Sequence, residues 1–219
     1  MAHALRRFRL TMSVETSTQE RVYRALKEEY LDGVFHAGMR LDLHAVADRH
    51  RASTTPVREA IQRMVGEQLF EAHPDGGIRV VRPDIDALAG LYVWNAQHLL
   101  GTLRLADAAL LRGSLRLFRE RMPGTAPGDH AAFTAILFRA IGEATGNAEF
   151  SDQIQRMSER LHYTRLAEAR LFDDPDRELR TFLRNGNIDV RTNLRRRIIA
   201  YHRRRIDHVG SISDALWQR

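Results

Sequence analysis

The chain has 219 residues, 43% of them hydrophobic, which is enough to bury a full core in one large domain or two small ones. It has no cysteine, which excludes disulfides and thiolate zinc sites and suits a reducing, cytoplasmic compartment. No run of about 18 apolar residues is present, so no membrane span is expected, and a formal net charge of +6 favours a polyanionic partner without specifying a fold.

Met1 to Met12 carries Arg6, Arg7 and Arg9 but no apolar segment long enough for a secretory signal, so residues 1–16 read as a basic flexible arm. Ser17-Thr18-Gln19-Glu20 has capping-box spacing and predicts the start of a first helix. Val22, Leu26 and Tyr30 form its apolar stripe, and Gly33 is its stop. Met39 to Leu41 is a short extended piece, and Leu43 to His50 is a second helix that buries Leu43, Val46 and Ala47. After a brief turn through Arg51 and Ala52, a third helix starts on Thr55 as N-cap with Pro56 in its first turn. Val57, Ile61 and Met64 recur at helical spacing and mark its buried face, leaving Arg58, Gln62 and Arg63 off it. Its tip gathers hydroxyls, free amides and a guanidinium, the equipment a helix needs to enter a DNA major groove. Two strand-like runs, Leu69–His73 and Ile78–Arg82, flank Pro74-Asp75-Gly76-Gly77. Asp-Gly there predicts a type I′ hairpin turn with positive φ at both central positions. Helix, short strand, helix, turn, helix, hairpin is the order of a winged helix-turn-helix.

Residues 17–83 resemble the GntR family of bacterial transcription regulators, most sharply in Ser53-Thr54-Thr55-Pro56-Val57-Arg58-Glu59-Ala60. The family pattern has an arginine where this chain has Thr54, and another phosphate-contacting arginine where it has His44. The resemblance implies DNA contacts from Thr55, Arg58 and the wing tip at Gly76 and Gly77, with altered chemistry at Thr54 and His44. Arg58 could fork onto guanine or hold a phosphate. Its non-DNA reading is a helix-surface arginine beside Glu59 or Gln62.

Pro83-Asp84 is the expected boundary, and 84–219 reads as an all-helical domain, so the fold class is mainly α. The expected helices are 85–112, with Leu88, Leu91, Leu99 and Leu103 inward and Asn95 interrupting; a shorter one to Arg121; 130–145, burying Phe133, Ile136, Leu137, Ile141 and Ala144; 148–172; one from Pro175 to about Arg184; and 189–209. Met122 to Gly128 is a break, and Gly146-Asn147 a helix stop. This half, through Phe138 to Asn147, looks like the effector-binding and dimerisation (FCD) domain of the FadR-type branch. Many such domains hold a metal on an aspartate and three histidines. The resemblance puts Thr134 at the aspartate, Phe138 at the first histidine, Arg180 near the second and His202 at the last. A frame shifted by one turn would bring Asp129 or His130 nearby, at the expense of the Thr-Gly-Asn match. Neither a metal nor another cofactor is therefore expected.

Asn95, Thr134, Phe138, Arg180 and His202 become the candidate effector-binding residues of a metal-free pocket for a small organic acid, with a carboxylate forking onto the arginine. His202 has an equal claim to be a satisfied core histidine, and Arg180 reads more readily as an exposed surface arginine. The arginines from Arg191 to Arg205 read as a solvated face whose stems cover apolar surface. No acid/base pair, nucleophile elbow or phosphate loop suggests an enzyme. The expected whole is a cytoplasmic homodimer reading a palindromic double-stranded operator, commonly as a repressor, in response to a small-molecule effector. The rival is a constitutive DNA-binding protein with a degenerate, ligand-free pocket.

Overall fold

The computed structural model describes residues 17–120, 127–184 and 189–217. The expected basic arm lies outside the described residues, as does most of the break after Met122. Among the described residues there are eleven helices and one small sheet.

The first helix, α1 (Thr18–Leu31), starts on Ser17, whose hydroxyl accepts from the Glu20 amide at 3.2 Å. It buries Val22, Tyr23, Leu26 and Tyr30, and Gly33 follows with a φ of 75°. Asp42 caps α2 (Leu43–Arg49) by accepting from the amides of His44 and Ala45. A turn follows, with Arg51 at a φ of 48°, and then α3 (Thr54–Gly66). The cap of α3 is Ser53, not Thr55, so Thr55 and Pro56 both lie inside the first turn. Proline is tolerated there because the first turn's amides have no carbonyl four residues back to meet.

The wing pairs β1 (Phe70–Ala72) with β2 (Ile78–Val80) antiparallel, with Phe70 opposite Val80 and Glu71 opposite Arg79. The extended piece adds a third edge through Arg40, which bridges to Arg79. The positive φ angles fall on Gly76 (83°) and Gly77 (89°), not on Asp75 and Gly76. The Gly76 amide donates to the His73 carbonyl at 2.9 Å, so the connection is a turn begun by Pro74 rather than the two-residue turn expected.

The remainder is helical: α4 (Ile85–Leu105), α5 (Ala108–Glu120), α6 (Pro127–Glu143), α7 (Ala148–Arg160), α8 (His162–Leu171), α9 (Pro175–Leu183), α10 (Val190–Asp207) and α11 (Val209–Ala215). Two expected long helices are broken. The first ends at Leu105, where Ala106 turns extended and Asp107 caps the amides of Ala109 and Leu110. The second breaks at Leu161, which is buried and redirects the chain. The last expected helix is followed by a separate α11. Ile136, expected inward, is exposed.

One apolar cluster joins α4, α5, α6, α9 and α10 around Leu99, Phe138, Phe182 and Ile198. A second fills the winged module around Leu26, Ile61, Met64 and Phe70, and it includes Tyr163 from α8. The two halves are therefore packed against each other. Lys27 strengthens the seam, pairing with Glu67 of its own module and with Glu159 of α7 at 2.8 Å.

Candidate functional site

The helix-turn-helix exposes its expected reading surface. Val57, Ala60, Ile61 and Met64 of α3 face the module core, while Thr55, Arg58, Glu59 and Gln62 are exposed and Thr54 is half-buried. Arg63, also off the core, is diverted: it donates to Glu20 at 2.9 Å and lies 3.6 Å over the Tyr23 ring. Arg58 is thus the exposed α3 guanidinium outside that cluster. His44 is exposed near the start of α2, and Gly76 and Gly77 are exposed at the wing tip. Two basic residues that residue spacing did not single out stand beside these. A Cβ on Gly77 would lie 3.1 Å from Nε of Arg40, so that guanidinium lies against the wing tip. Arg51 is exposed in the turn entering α3. Within the wing, Asp75 accepts from His73 and Arg79, which hold its carboxyl below the usual range.

Residues 18–80 match the family described as bacterial regulatory proteins, gntR family. This segment is a GntR-family helix-turn-helix domain. Across nearly the whole chain the fold is similar to a GntR protein from Rhodococcus sp. RHA1, with a TM-score of 0.74 at 16% identity, covering 90% of this chain and 99% of that one. It is also similar to McbR/YncC of E. coli, with a TM-score of 0.65 at 18% identity, covering 89% and 98%. A search of curated protein sequences finds no match.

Behind the GntR module, the residues expected in a pocket separate. Asn95, Thr134, Phe138 and His202 are buried. The Asn95 amide donates to Nε2 of His202 at 3.1 Å, and Nδ1 of His202 donates to the Ile198 carbonyl at 2.7 Å. Because a carbonyl only accepts, His202 carries its proton on Nδ1 and is neutral. Burial pushes its pKa down to about 3, and the charges of Arg205 and Arg165 add to that. Phe138 stacks on its ring at 5.9 Å. The Thr134 hydroxyl donates to the His130 carbonyl at 2.8 Å. These residues do not fit a metal: both His202 nitrogens are engaged and an aromatic ring occupies the neighbouring ligand position. Among the described residues no three histidine, aspartate or glutamate side chains converge at ligand spacing.

Arg180 is exposed and does not line the cavity beside these residues. The inward guanidiniums are Arg165 and Arg205, 3% and 4% exposed. Arg205 thus departs from the solvated face expected of its neighbours. Its Nε donates to Glu168 at 2.8 Å, and its two Nη groups fork onto Glu178 at 2.8 Å each. Tyr92 also donates to Glu168, completing a buried network that sequence reasoning missed. Its signal was available only as charged residues at inward positions, Glu168 one turn after Thr164 and Arg205 one turn after Tyr201. A cavity of about 20 Å³ adjoins the network, lined by Thr134, Arg165, Glu178, Tyr201 and Arg205 among others.

Proposed function

We propose that this protein is a DNA-binding transcription regulator in which residues 17–83 read a palindromic operator and residues 84–219 form a dimerising, effector-responsive domain of the FCD kind. The observation that carries the reading is the tip of α3: Thr55 and Arg58 are exposed at its N-terminal end, and the same module exposes Gly76 and Gly77 at its wing tip with Arg40 against Gly77. A helix anchored on its other side by Val57, Ile61 and Met64 can enter a major groove while the wing meets the neighbouring backbone. Thr54, where the family pattern has arginine, and His44 set a different operator preference. A second copy is supported by α4, which exposes Val93, Trp94 and Leu105. No helix among the described residues is long and apolar enough to cross a membrane, which accords with a cytoplasmic role. Repression is the expected sign of regulation.

The test is selection of a duplex from a random pool by the full chain, followed by titration with that duplex. Specific binding that weakens steeply with added salt is expected, because each neutralised phosphate releases counterions. Arg58→Ala should abolish specific binding while leaving thermal unfolding unchanged. Equal affinity of that variant for the selected duplex would remove α3 from its assigned role. Sedimentation should report a dimer.

The constitutive alternative has one observation in its favour: the cavity beside Arg165 has room for about one water as it stands.

A further inference from the structure

Buried guanidiniums are tolerated when acceptors surround them, because an unpaired charge loses its hydration and receives nothing in exchange. Arg205 meets that condition through Glu168, Glu178 and the Tyr201 carbonyl. Arg165 does not. It is 3% exposed, and both Nη1 and Nη2 are buried without a hydrogen-bond partner. The Phe138 ring, 5.5 Å from Cζ, offers a weak cation–π contact and no acceptor. Arg165 lines the same cavity as Thr134, Glu178, Tyr201 and Arg205.

We propose that Arg165 is the receptor for a small organic monocarboxylate, whose two oxygens accept from Nη1 and Nη2 in a fork. This rests on the effector-responsive reading for its purpose, but its test needs no DNA. The charge of the ligand follows from the neighbours. Two carboxylates meet here, and both are engaged by Arg205. Arg204 also approaches Glu178, at 3.9 Å, so with Arg165 three guanidiniums face two carboxylates and one positive charge is left over, while a dianion would bring its second charge against Glu168 and Glu178. The body of the ligand should be compact and apolar, because Ala169, Phe172 and Leu179 complete the walls. A cavity of about 20 Å³ cannot hold such a body without movement. The wall that would have to move is α9, which contributes Pro175, Glu178 and Leu179 and is fastened by the Glu178–Arg205 fork. This site also differs from a metal-centred one, since the arginine alone holds the carboxylate.

The experiment is thermal unfolding and calorimetric titration of the full chain with benzoate, hexanoate, benzamide and phthalate. Benzoate or hexanoate should raise the melting midpoint, while neutral benzamide and dianionic phthalate should not. In Arg165→Met the carboxylate effect should vanish, and the ligand-free midpoint should equal or exceed that of the wild type, since an unpaired buried charge has been removed. A merely structural arginine would lower it. Arg165→Lys keeps the charge without the fork and should bind about tenfold more weakly than the wild type. Should the methionine variant fail to fold, the lysine variant decides the question, and undiminished affinity there overturns the proposal. It is overturned equally if neither monocarboxylate moves the wild-type midpoint, or if the shift persists in Arg165→Met. Carboxylate binding by a protein that selects no duplex would instead remove the regulator reading and leave this site standing.

Discussion

The hydroxyl of Tyr163, on α8, donates to the backbone carbonyl of Tyr30, on α1, at 2.9 Å. The exchange is reciprocal in sense, since the Tyr30 hydroxyl donates to the Glu159 carbonyl at 3.3 Å, and the two rings meet edge-on at 4.7 Å. Burial raises both hydroxyl pKa values far above the ordinary range, so both remain donors throughout the working pH range. Tyr163→Phe should lower unfolding stability by about 1 kcal/mol in urea titration, the usual worth of one buried hydrogen bond. Tyr163→Ala should cost about 3 kcal/mol or more, because it also empties part of the winged module's core.

His162 lies beside that contact, 5.9 Å from the Tyr30 ring. Burial, aided by the charge of Arg165, pushes its pKa from 6.5 down to about 4, with Asp32 and the Leu31 backbone opposing. The unfolded chain therefore binds a proton below about pH 6.5 that the folded chain refuses until about pH 4. Stability should fall as pH is lowered across that window. His202 acts in the same direction, with its pKa near 3. His162→Phe should flatten the decline by about 3 kcal/mol when urea midpoints are compared at the two ends of the window.

Lys27 bridges two carboxylates, and its removal leaves Glu67 and Glu159 facing each other. Lys27→Met should destabilise the fold by about 2 kcal/mol. Burial raises the Glu67 pKa, but hydrogen bonds from Lys27 and Tyr23 outweigh it and hold the carboxyl below its ordinary value. Its contribution is thus present above the unfolded carboxyl pKa and is lost as pH falls through the lower folded value. Acid unfolding of Lys27→Met should lack that component.

Gly142 lets α6 lie directly on α7. A Cβ there would stand 2.6 Å from Cα of Ser151 and 2.7 Å from its nitrogen, and backbone cannot step aside as a flexible side chain can. Gly142→Ala should cost about 2 kcal/mol or more. Gly113→Ala on α5 meets nothing within 4 Å and should stabilise by about 0.5–1 kcal/mol, which makes it the matched control in thermal unfolding.

The winged module was legible because each of its parts has a local cause. Ser17 caps α1, Asp42 caps α2, and the apolar stripes of α1 and α3 repeat at helical spacing. Two details escaped for want of tertiary information: the cap at Ser53, whose side chain makes no capping hydrogen bond, and the placement of positive φ on Gly76 and Gly77. The helical half was legible in composition but not in its breaks. Leu161 fits a continuous apolar stripe, and nothing about a leucine announces a change of direction. The cavity was least legible, because the Glu168, Glu178 and Arg205 carboxylates and guanidinium look like surface charges in sequence and only packing brings them together. Arg180, chosen by register, is exposed, and Arg165 is the guanidinium that lies buried beside the cavity.

At ten residues, α8 is about 15 Å long. Tyr163 and Leu166 on one flank belong to the apolar interior of the winged module, and Arg165 and Glu168 on the other flank belong to the cavity. A single rigid rod thus has one hand in each half of the molecule. Were a small molecule and a duplex each to prefer one seating of the rod, each would change the other's affinity, and thermodynamic reciprocity requires the two factors to be equal.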